Sequence, residues 1–353
     1  MLKYIPFKNP IGLDISDYKI RFFQIKNKRG TKVKVQSFGE IDVPENYIQM
    51  GEIINEKGAI NLLKTMLSNP AFGKTDSNYV QSSLPDKKTF IKTIAIPKVP
   101  ENELQGAIQW GIEQNIPITL DQVYFDWHIL PQKNNEKIWV TVSVAPKEIV
   151  ESYGRILKEV NLIPISFENE SVAIARCLIN QQNNMKQSCL IIDLGKSRTN
   201  VIVYAGGTIQ YNSTIDIGGQ EMTKIIAKSI KLDIKDAEKA KVICGLNDNK
   251  ARGQIKKILE PAINRLINKA IENIEYYENY MDSNNSKIDK VIITGSVSRM
   301  DGLPRYLEKK LKRTVSVGNP WTNCTATNYK NWKTDFLPYS TVIGLSLKDS
   351  NII

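Results

Sequence analysis

Residues 190–204 read LIIDLGKSRTNVIVY: an apolar run carrying Asp193, then a polar turn through Gly195 and Lys196 that opens into a second alternating run. A carboxylate beside a glycine turn serves an ordinary hairpin, because both residue types favour tight turns. It also has the makings of a ligand site, since a small-residue turn leaves its backbone N–H groups approachable. One copy does not choose between these readings. A second copy does. In IGLDISDYKIRFF, residues 11–23, Asp14 aligns with Asp193, Ser16 with Gly195, Ile20 with Thr199 and Phe22 with Val201. The copies open the two halves of the chain, which points to a duplicated domain with a cleft between its halves.

The elements that must position these hairpins repeat as well. Each hairpin is followed by another strand-like run, TKVKVQSFGEIDV or TIQYNSTIDI, and then by a helical pattern, Ala59 to Leu67 or Glu221 to Ile230. YVQSSLP and TFIKTIAIP read as strands, and ENELQGAIQWGIEQNIP as a helix with Leu104, Ile108 and Ile112 on one stripe. Strands YFDWHIL and KIWVTVSVA follow, then a helix over 147–160, strand LIPISF and a helix over 171–180. Pro85, Pro97, Pro100 and Pro146 bound a section with the character of an inserted subdomain, and QQNNMKQS, residues 181–188, divides the lobes. In the second half, apolar residues recur at 3.6 spacing from Ile255 to Tyr277, with Pro261 expected to start or kink that helix and DSNNSK to end it. KVIITGSVSRMDGLPRYLEKKL is a strand, a Gly/Ser turn and a helix. Neither G-x-x-x-x-G-K-[ST] nor G-x-G-x-x-G occurs, so nucleotide binding would need another device.

At 353 residues the chain is large for one domain, and its 41% hydrophobic and 24% charged residues suit a soluble globular protein. No run is long enough to span a bilayer and MLKYIPFKNP lacks a signal-peptide core, so the expectation is cytoplasmic. Cys177, Cys189, Cys244 and Cys324 lie far apart without a C-x-x-C pair, which argues for reduced structural thiols and against zinc. His128 is the only histidine, is accompanied by no nucleophile motif, and is expected to be a partly buried structural residue. The net charge of +11 is spread over stretches such as KNKRGTKVKV, KLDIKDAEKAK and LEKKLKR without interleaved aromatics. That pattern fits a solvated basic surface rather than a nucleic-acid site, with weak attraction to an anionic membrane face as the functional alternative.

The two hairpins, the late TGSVSRMDGLP turn and AEKAK (residues 237–241) together resemble the actin-like ATPase superfamily. Almost the whole chain, Ile11 to Leu347, resembles the PilM family, cytoplasmic actin-like proteins of the type IV pilus inner-membrane platform. The resemblance runs through IPKVPENELQGAIQWGIEQNIPITLDQVYFDW, DLGKSRTNVIVY, TIDIGGQEMT, AEKAK, LEPAINRLINKAIENIEYYE, VGNPW and YSTVIGLSLK, in that order. It implies an α/β actin-like ATPase fold of two lobes, each built on a ribonuclease H-like βββαβαβα unit, with an FtsA-like inserted subdomain in lobe 1. Lobe 1 is then expected over residues 1–180, with a core of 1–83 and 162–180, the closing helix 338–348 and the insertion 84–161. Lobe 2 is expected over 189–335, with a core of 189–218 and 288–335 and a helical subdomain at 219–287.

The resemblance also implies ATP or ADP with Mg2+ clasped between the hairpins. Asp14, Ser16 and Arg21 would belong to the first phosphate hairpin, and Asp193, Gly195, Lys196 and Thr199 to the second, with the Thr199 hydroxyl on a phosphate oxygen. Gly218 and Gly219, with Glu221 nearby, would let the next helix approach the phosphates. Glu238 and Lys241 would reach the ribose and base, and Gly295, Ser296 and Arg299 would line the adenine pocket. Asp14 and Asp193 would hold the magnesium through water and are the only catalytic candidates. The chain departs from the family where Ser16 and Ser296 replace glycines; a Cβ there disfavours positive φ and would reduce nucleotide affinity.

The implied function is a nucleotide-binding scaffold that docks the N-terminal tail of a PilN-like single-pass membrane protein. Its groove would lie between the insertion and the first-lobe core, walled by residues 84–127 and the adjoining core of the first lobe, with Ile112 and Ile116 as candidate lining but core packing as the expected role of each. Other pilus platform and motor proteins are expected partners, self-association is a further expectation, and nucleic acid is not expected. The chain would sit peripherally at the inner face of the cytoplasmic membrane. With no evident general base, hydrolysis should be slow at most. The alternatives are a small-molecule, sugar-type kinase on the same fold and an FtsA-like division filament. The kinase needs a further carboxylate base; the filament wants a C-terminal amphipathic helix where this chain reads SLKDSNII.

Overall fold

The computed structural model describes residues 9–29, 31–130, 137–182, 187–281, 287–328 and 334–348. The chain start, the middle four residues of QQNNMKQS, the DSNNS stretch and the last residues are among those outside them. Strands β1 (Ile11–Ile15), β2 (Lys19–Arg29) and β3 (Lys32–Asp42) form an antiparallel meander. The short pair β4 (Ile48–Gln49) and β5 (Glu52–Ile53) leads to α1 (Glu56–Ser68), which starts where the Asn55 side chain accepts the Gly58 N–H. Then β6 (Phe72–Gly73) pairs with β3, and β7 (Tyr79–Leu84) runs parallel to β1.

The inserted section is a compact layer of its own. Strand β8 (Phe90–Pro97), helix α2 (Leu104–Asn115), β9 (Val123–Ile129) and β10 (Lys137–Pro146) form a sheet with β10 in the middle, covered by α2. Ile112 and Ile116 take the core role expected of them and are buried in this layer with Ile94, Ile96 and Val140. His128 differs from expectation: it is exposed, because β9 is the edge strand and His128 is on its open face.

The chain then returns to the first lobe through α3 (Lys147–Glu159), β11 (Ile163–Asn169), which is parallel to β7, and α4 (Glu170–Leu178). Helix α3, expected within the insertion, packs Ile149, Tyr153, Ile156 and Leu157 into one cluster with Leu13, Ile15 and Leu63. Tyr153 is wholly buried, and its hydroxyl donates to the Gly51 carbonyl at 2.9 Å. With α3 counted there, the first unit reads βββαβαβα.

The second unit repeats the plan. It comprises β12 (Cys189–Leu194), β13 (Thr199–Ala205), β14 (Thr208–Ile215), α5 (Gly219–Ile230), α6 (Ile234–Cys244), α7 (Gln254–Tyr276), β15 (Lys290–Thr294), α8 (Leu303–Leu311) and β16 (Thr314–Val317). Pro261 lies inside a continuous α7 rather than at its start. The sheets have corresponding orders, β11-β7-β1-β2-β3 and β16-β15-β12-β13-β14. The hairpins share a register, with Asp14 opposite Arg21 and Asp193 opposite Asn200. Finally β17 (Thr325–Ala326) adds to β3, and α9 (Ser340–Leu347) closes the chain.

Helices α4 and α9 lie between the lobes. Ile174 and Leu178 of α4 share a cluster with Ile191, Ile202 and Tyr204 of the second sheet and with Val342 and Ile343 of α9. The helices cross so closely that a Cβ on Gly344 would lie 1.9 Å from the Ala173 carbonyl oxygen. The insertion joins the lobes as well: β8 pairs with β14 at Lys92 and Tyr211, giving one eight-stranded sheet that ends in β10 and β9. The Thr93 hydroxyl donates across this junction to the Ile209 carbonyl at 3.0 Å.

Candidate functional site

The two hairpin turns face each other across a cavity of about 150 Å³. Asp14, Ser16 and Arg21 line it from the first lobe, and Asp193, Gly195, Lys196, Gly295 and Ser296 from the second. Strand ends put the carboxylates there: Asp14 is the penultimate residue of β1, and Asp193 holds the same place in β12.

Electrostatics dominate this cavity. Asp14 Oδ1 accepts the Ser83 hydroxyl at 2.6 Å, yet burial raises its pKa above the usual carboxylate range. Burial, with the charges of Asp14 and Asp86 added, pushes Asp193 up to about 7. Burial likewise brings Asp86, which accepts the Ser171 hydroxyl, to about 6. Glu170, the first residue of α4, accepts Asn200 Nδ2 at 3.1 Å, and burial holds its proton on far above the ordinary range, opposed by Arg198. Arg198 lies 3.8 Å from Asp17; burial works against its charge, but Glu170, Asp17 and Asp86 outweigh that and raise its pKa. Buried acids thus exceed buried bases here, a surplus that a bound cation would relieve. Among the described residues, no group of three or more His, Cys, Asp and Glu is placed to hold an ion directly. Carboxylates on opposite walls of the cavity instead suit an ion that keeps its water shell.

The turns explain the serines. Ser16 keeps a negative φ, and both its N–H and its hydroxyl donate to the Lys19 carbonyl, at 3.1 and 2.8 Å. Ser296 also avoids positive φ, so neither serine is strained. Gly295 is the constrained position: its φ is 86°, and a Cβ there would lie 2.5 Å from Asp193 Oδ1.

The remaining expected residues do not line the cavity. The Thr199 hydroxyl is buried and donates to the Ile217 carbonyl at 2.7 Å. The Gly219 and Gln220 N–H groups donate to the Gly195 and Lys196 carbonyls at 3.0 and 2.9 Å, so the start of α5 is docked on the second turn. Gly218 permits that contact, since its Cβ would meet Ser197 C at 2.4 Å. Lys241 Nζ donates to the Gly219 carbonyl at 2.9 Å and to Glu238 Oε2 at 2.7 Å, bracing the same junction. Glu221 pairs with Arg265 at 2.6 Å on an exposed face, and Arg299 pairs with Asp335 at 2.7 Å beside another cavity.

Sequence reasoning missed Asp17, Tyr18, Asp86, Glu170 and Arg198. Asp17, Tyr18 and Arg198 sit in the same two turns and were open to reading as polar turn residues. Asp86 and Glu170 come from elements far along the chain and carried no local signal. Tyr18 ties the turns together: Lys196 Nζ lies 4.8 Å above its ring centroid, and its hydroxyl donates to Gln220 Oε1.

A second cavity, of about 340 Å³, opens between the insertion, α4 and the β13–β14 turn. Ile91, Trp127, Val172 and Ile209 give it apolar walls, with Thr141, Ser143 and Thr208 among them.

Over residues 12–350 the chain matches the family model described as "Type IV pilus assembly protein PilM". The cell division protein FtsA of Agrobacterium fabrum (strain C58) is 27% identical over 158 residues, 39% of this chain and 36% of that one. This chain thus spans about a third of the length of the curated relatives it matches. Among solved structures, the "PilM-PilN type IV pilus biogenesis complex" superposes with a TM-score of 0.80 at 20% identity, over 97% of this chain and 98% of that one. MreB 5 of Spiroplasma citri bound to AMPPNP gives 0.54 at 13% identity, over 96% and 94%. The architecture is the actin-like ATPase fold.

Proposed function

The chain belongs to the family of the type IV pilus assembly protein PilM, and from that premise we propose that it is a nucleotide-binding scaffold of the pilus inner-membrane platform. The observation that carries the reading is Asp14 and Asp193 at equivalent strand ends, facing one cavity from opposite lobes. ATP would place its phosphates between the turns, where Lys196, Arg21 and Arg198 supply positive charge. Asp14 and Asp193 would hold its magnesium through water, and the ion supplies charge neutralisation. The cavity is below the roughly 300 Å³ at which ligand pockets begin, so it would take the phosphates and their ion rather than the whole nucleotide. Ligand touching both lobes then favours the arrangement that joins them.

Glu170 argues for slow turnover. A carboxyl that keeps its proton cannot accept one from water. ATP should therefore act as a wedge rather than a fuel, with turnover below about one per second, under the usual enzyme range. Titration of the intact protein with ATP and Mg2+ tests the cleft: Asp193→Ala should weaken binding at least tenfold, and unchanged affinity removes this hairpin from the phosphate site.

The partner of this scaffold is the N-terminal cytoplasmic tail of a PilN-like single-pass membrane protein. The solved relative assembles with PilN, as its name states. No described helix here is long and apolar enough to cross a membrane, so a membrane position would come through such a partner. The second cavity offers the seat, with Trp127 and Val172 for an apolar anchor and Ser143 and Thr208 for the tail's backbone. Binding of a synthetic tail peptide should be lost in Thr208→Arg, and full affinity there would put the tail elsewhere.

A further inference from the structure

Asn169, Glu170 and Ser171 sit side by side where β11 passes into α4, and each reaches a different part of the molecule. Asn169 Oδ1 accepts the Ser143 hydroxyl at 2.5 Å, and its Nδ2 donates to Thr89 Oγ1 at 2.7 Å. Glu170 accepts Asn200 Nδ2 of the second hairpin at 3.1 Å. Ser171 Oγ accepts Asn212 Nδ2 of β14 at 2.9 Å and donates to Asp86. These residues are 2%, 7% and 0% exposed. First lobe, insertion and second lobe therefore meet at one buried polar turn.

Both cavities touch this turn. Ser143 lines the groove, while Glu170 and Asn200 line the cleft. Further along α4, Val172, Ala175 and Arg176 form a wall of the groove. A buried, fully bonded network has few alternative arrangements, because each lost bond leaves a desolvated polar group. Ser143 is also a hydroxyl that an extended peptide backbone would engage. When it turns to the peptide, Asn169 loses its 2.5 Å bond and must reorient. Helix α4 has no free space toward α9, where Gly344 already touches Ala173. The readjustment passes to the adjoining Glu170 and so to Asn200 in the cleft.

We propose that the Asn169–Glu170–Ser171 turn couples the groove to the cleft, so that tail binding tightens ATP binding and ATP tightens tail binding by the same factor. The sign follows from the lining: the groove has walls from both lobes, as does the cleft, and each ligand favours the joined arrangement. This inference rests on the assignments of cleft and groove made above.

The test is a calorimetric titration of the intact protein with a synthetic peptide of the N-terminal residues of a PilN-like single-pass membrane protein from the same organism, with and without saturating ATP and Mg2+. The expected result is at least fivefold tighter peptide binding with ATP, the lower end of ordinary coupling. In Asn169→Ala, each ligand alone should bind within about threefold of the parent while the coupling falls below twofold. Asn169→Leu removes the same bonds with the side-chain volume kept, and should give the same result if Asn169→Ala folds poorly. Peptide binding that ignores or is weakened by ATP overturns the coupling while leaving the groove assignment intact. A peptide that does not bind the parent at all overturns both. Full coupling retained in Asn169→Leu removes the turn from the route.

Discussion

Arg198 of the second hairpin comes within 3.8 Å of Asp17 of the first, so an ion pair between a buried guanidinium and a half-buried carboxylate joins the two halves of the duplication where their turns face each other. The guanidinium also opposes the rise in proton affinity that burial causes at Asp86 and Glu170. Breaking a fully buried pair by removing one partner costs about 3–5 kcal/mol, and the half-buried carboxylate left here brings the expected loss to about 1–3 kcal/mol. Arg198→Met should lose stability of that order at pH 8 in urea unfolding. At pH 5.5, where Asp86 and Asp193 carry protons, the loss should be smaller. An equal loss at both pH values would assign the cost to packing.

Asp193 gives the ligand-free protein a pH dependence of defined sign. Its carboxyl titrates near 7 in the folded chain against 3.8 in the unfolded one, so the native state holds the extra proton between those values. The contribution to stability is fully present below about 4 and lost as pH rises through about 7. Asp193→Asn should flatten this part of the stability–pH curve and raise stability at pH 8. A curve of unchanged slope in the variant would place the titrating group elsewhere.

Tyr18 holds the turns together without any ligand, through its face to Lys196 and its hydroxyl to Gln220. A cation–π contact at a partly exposed site contributes about 0.5–1 kcal/mol. Tyr18→Ala should therefore release ATP several-fold faster in stopped-flow displacement, with Tyr18→Phe between it and the parent. Identical release rates in all three would show that the latch does not limit exchange.

Gly295 and Ser16 should respond to substitution in opposite senses. Gly295→Ala meets a positive φ and the Asp193 carboxylate, so it should destabilise the fold by at least about 1 kcal/mol and weaken ATP binding. Ser16→Gly should cost about 1 kcal/mol through its lost hydrogen bond to Lys19, with ATP affinity equal or tighter. Thermal unfolding and ATP titration of both variants check the pair; a silent Gly295→Ala would remove the steric argument.

Much of this molecule is written locally. The paired hairpins, their shared register and the helices that follow depend on residues a few positions apart, where alternation and turn chemistry act. That is why Asp14 and Asp193 could be matched from their own neighbourhoods. Apolar periodicity also revealed that α3 has a face to bury, but not which surface covers it: Tyr153 finds the first-lobe core, not the insertion. Asp86, Glu170 and Asn169 show the same limit in the site. Their partners, Ser171, Asn200 and Ser143, lie on other elements, and each gains its altered proton affinity or its hydrogen bond from burial at a three-way junction. Burial of a polar group depends on everything packed around it, so the sequence determined which strand ends carry the charges, and only the tertiary structure decided which of them are desolvated together.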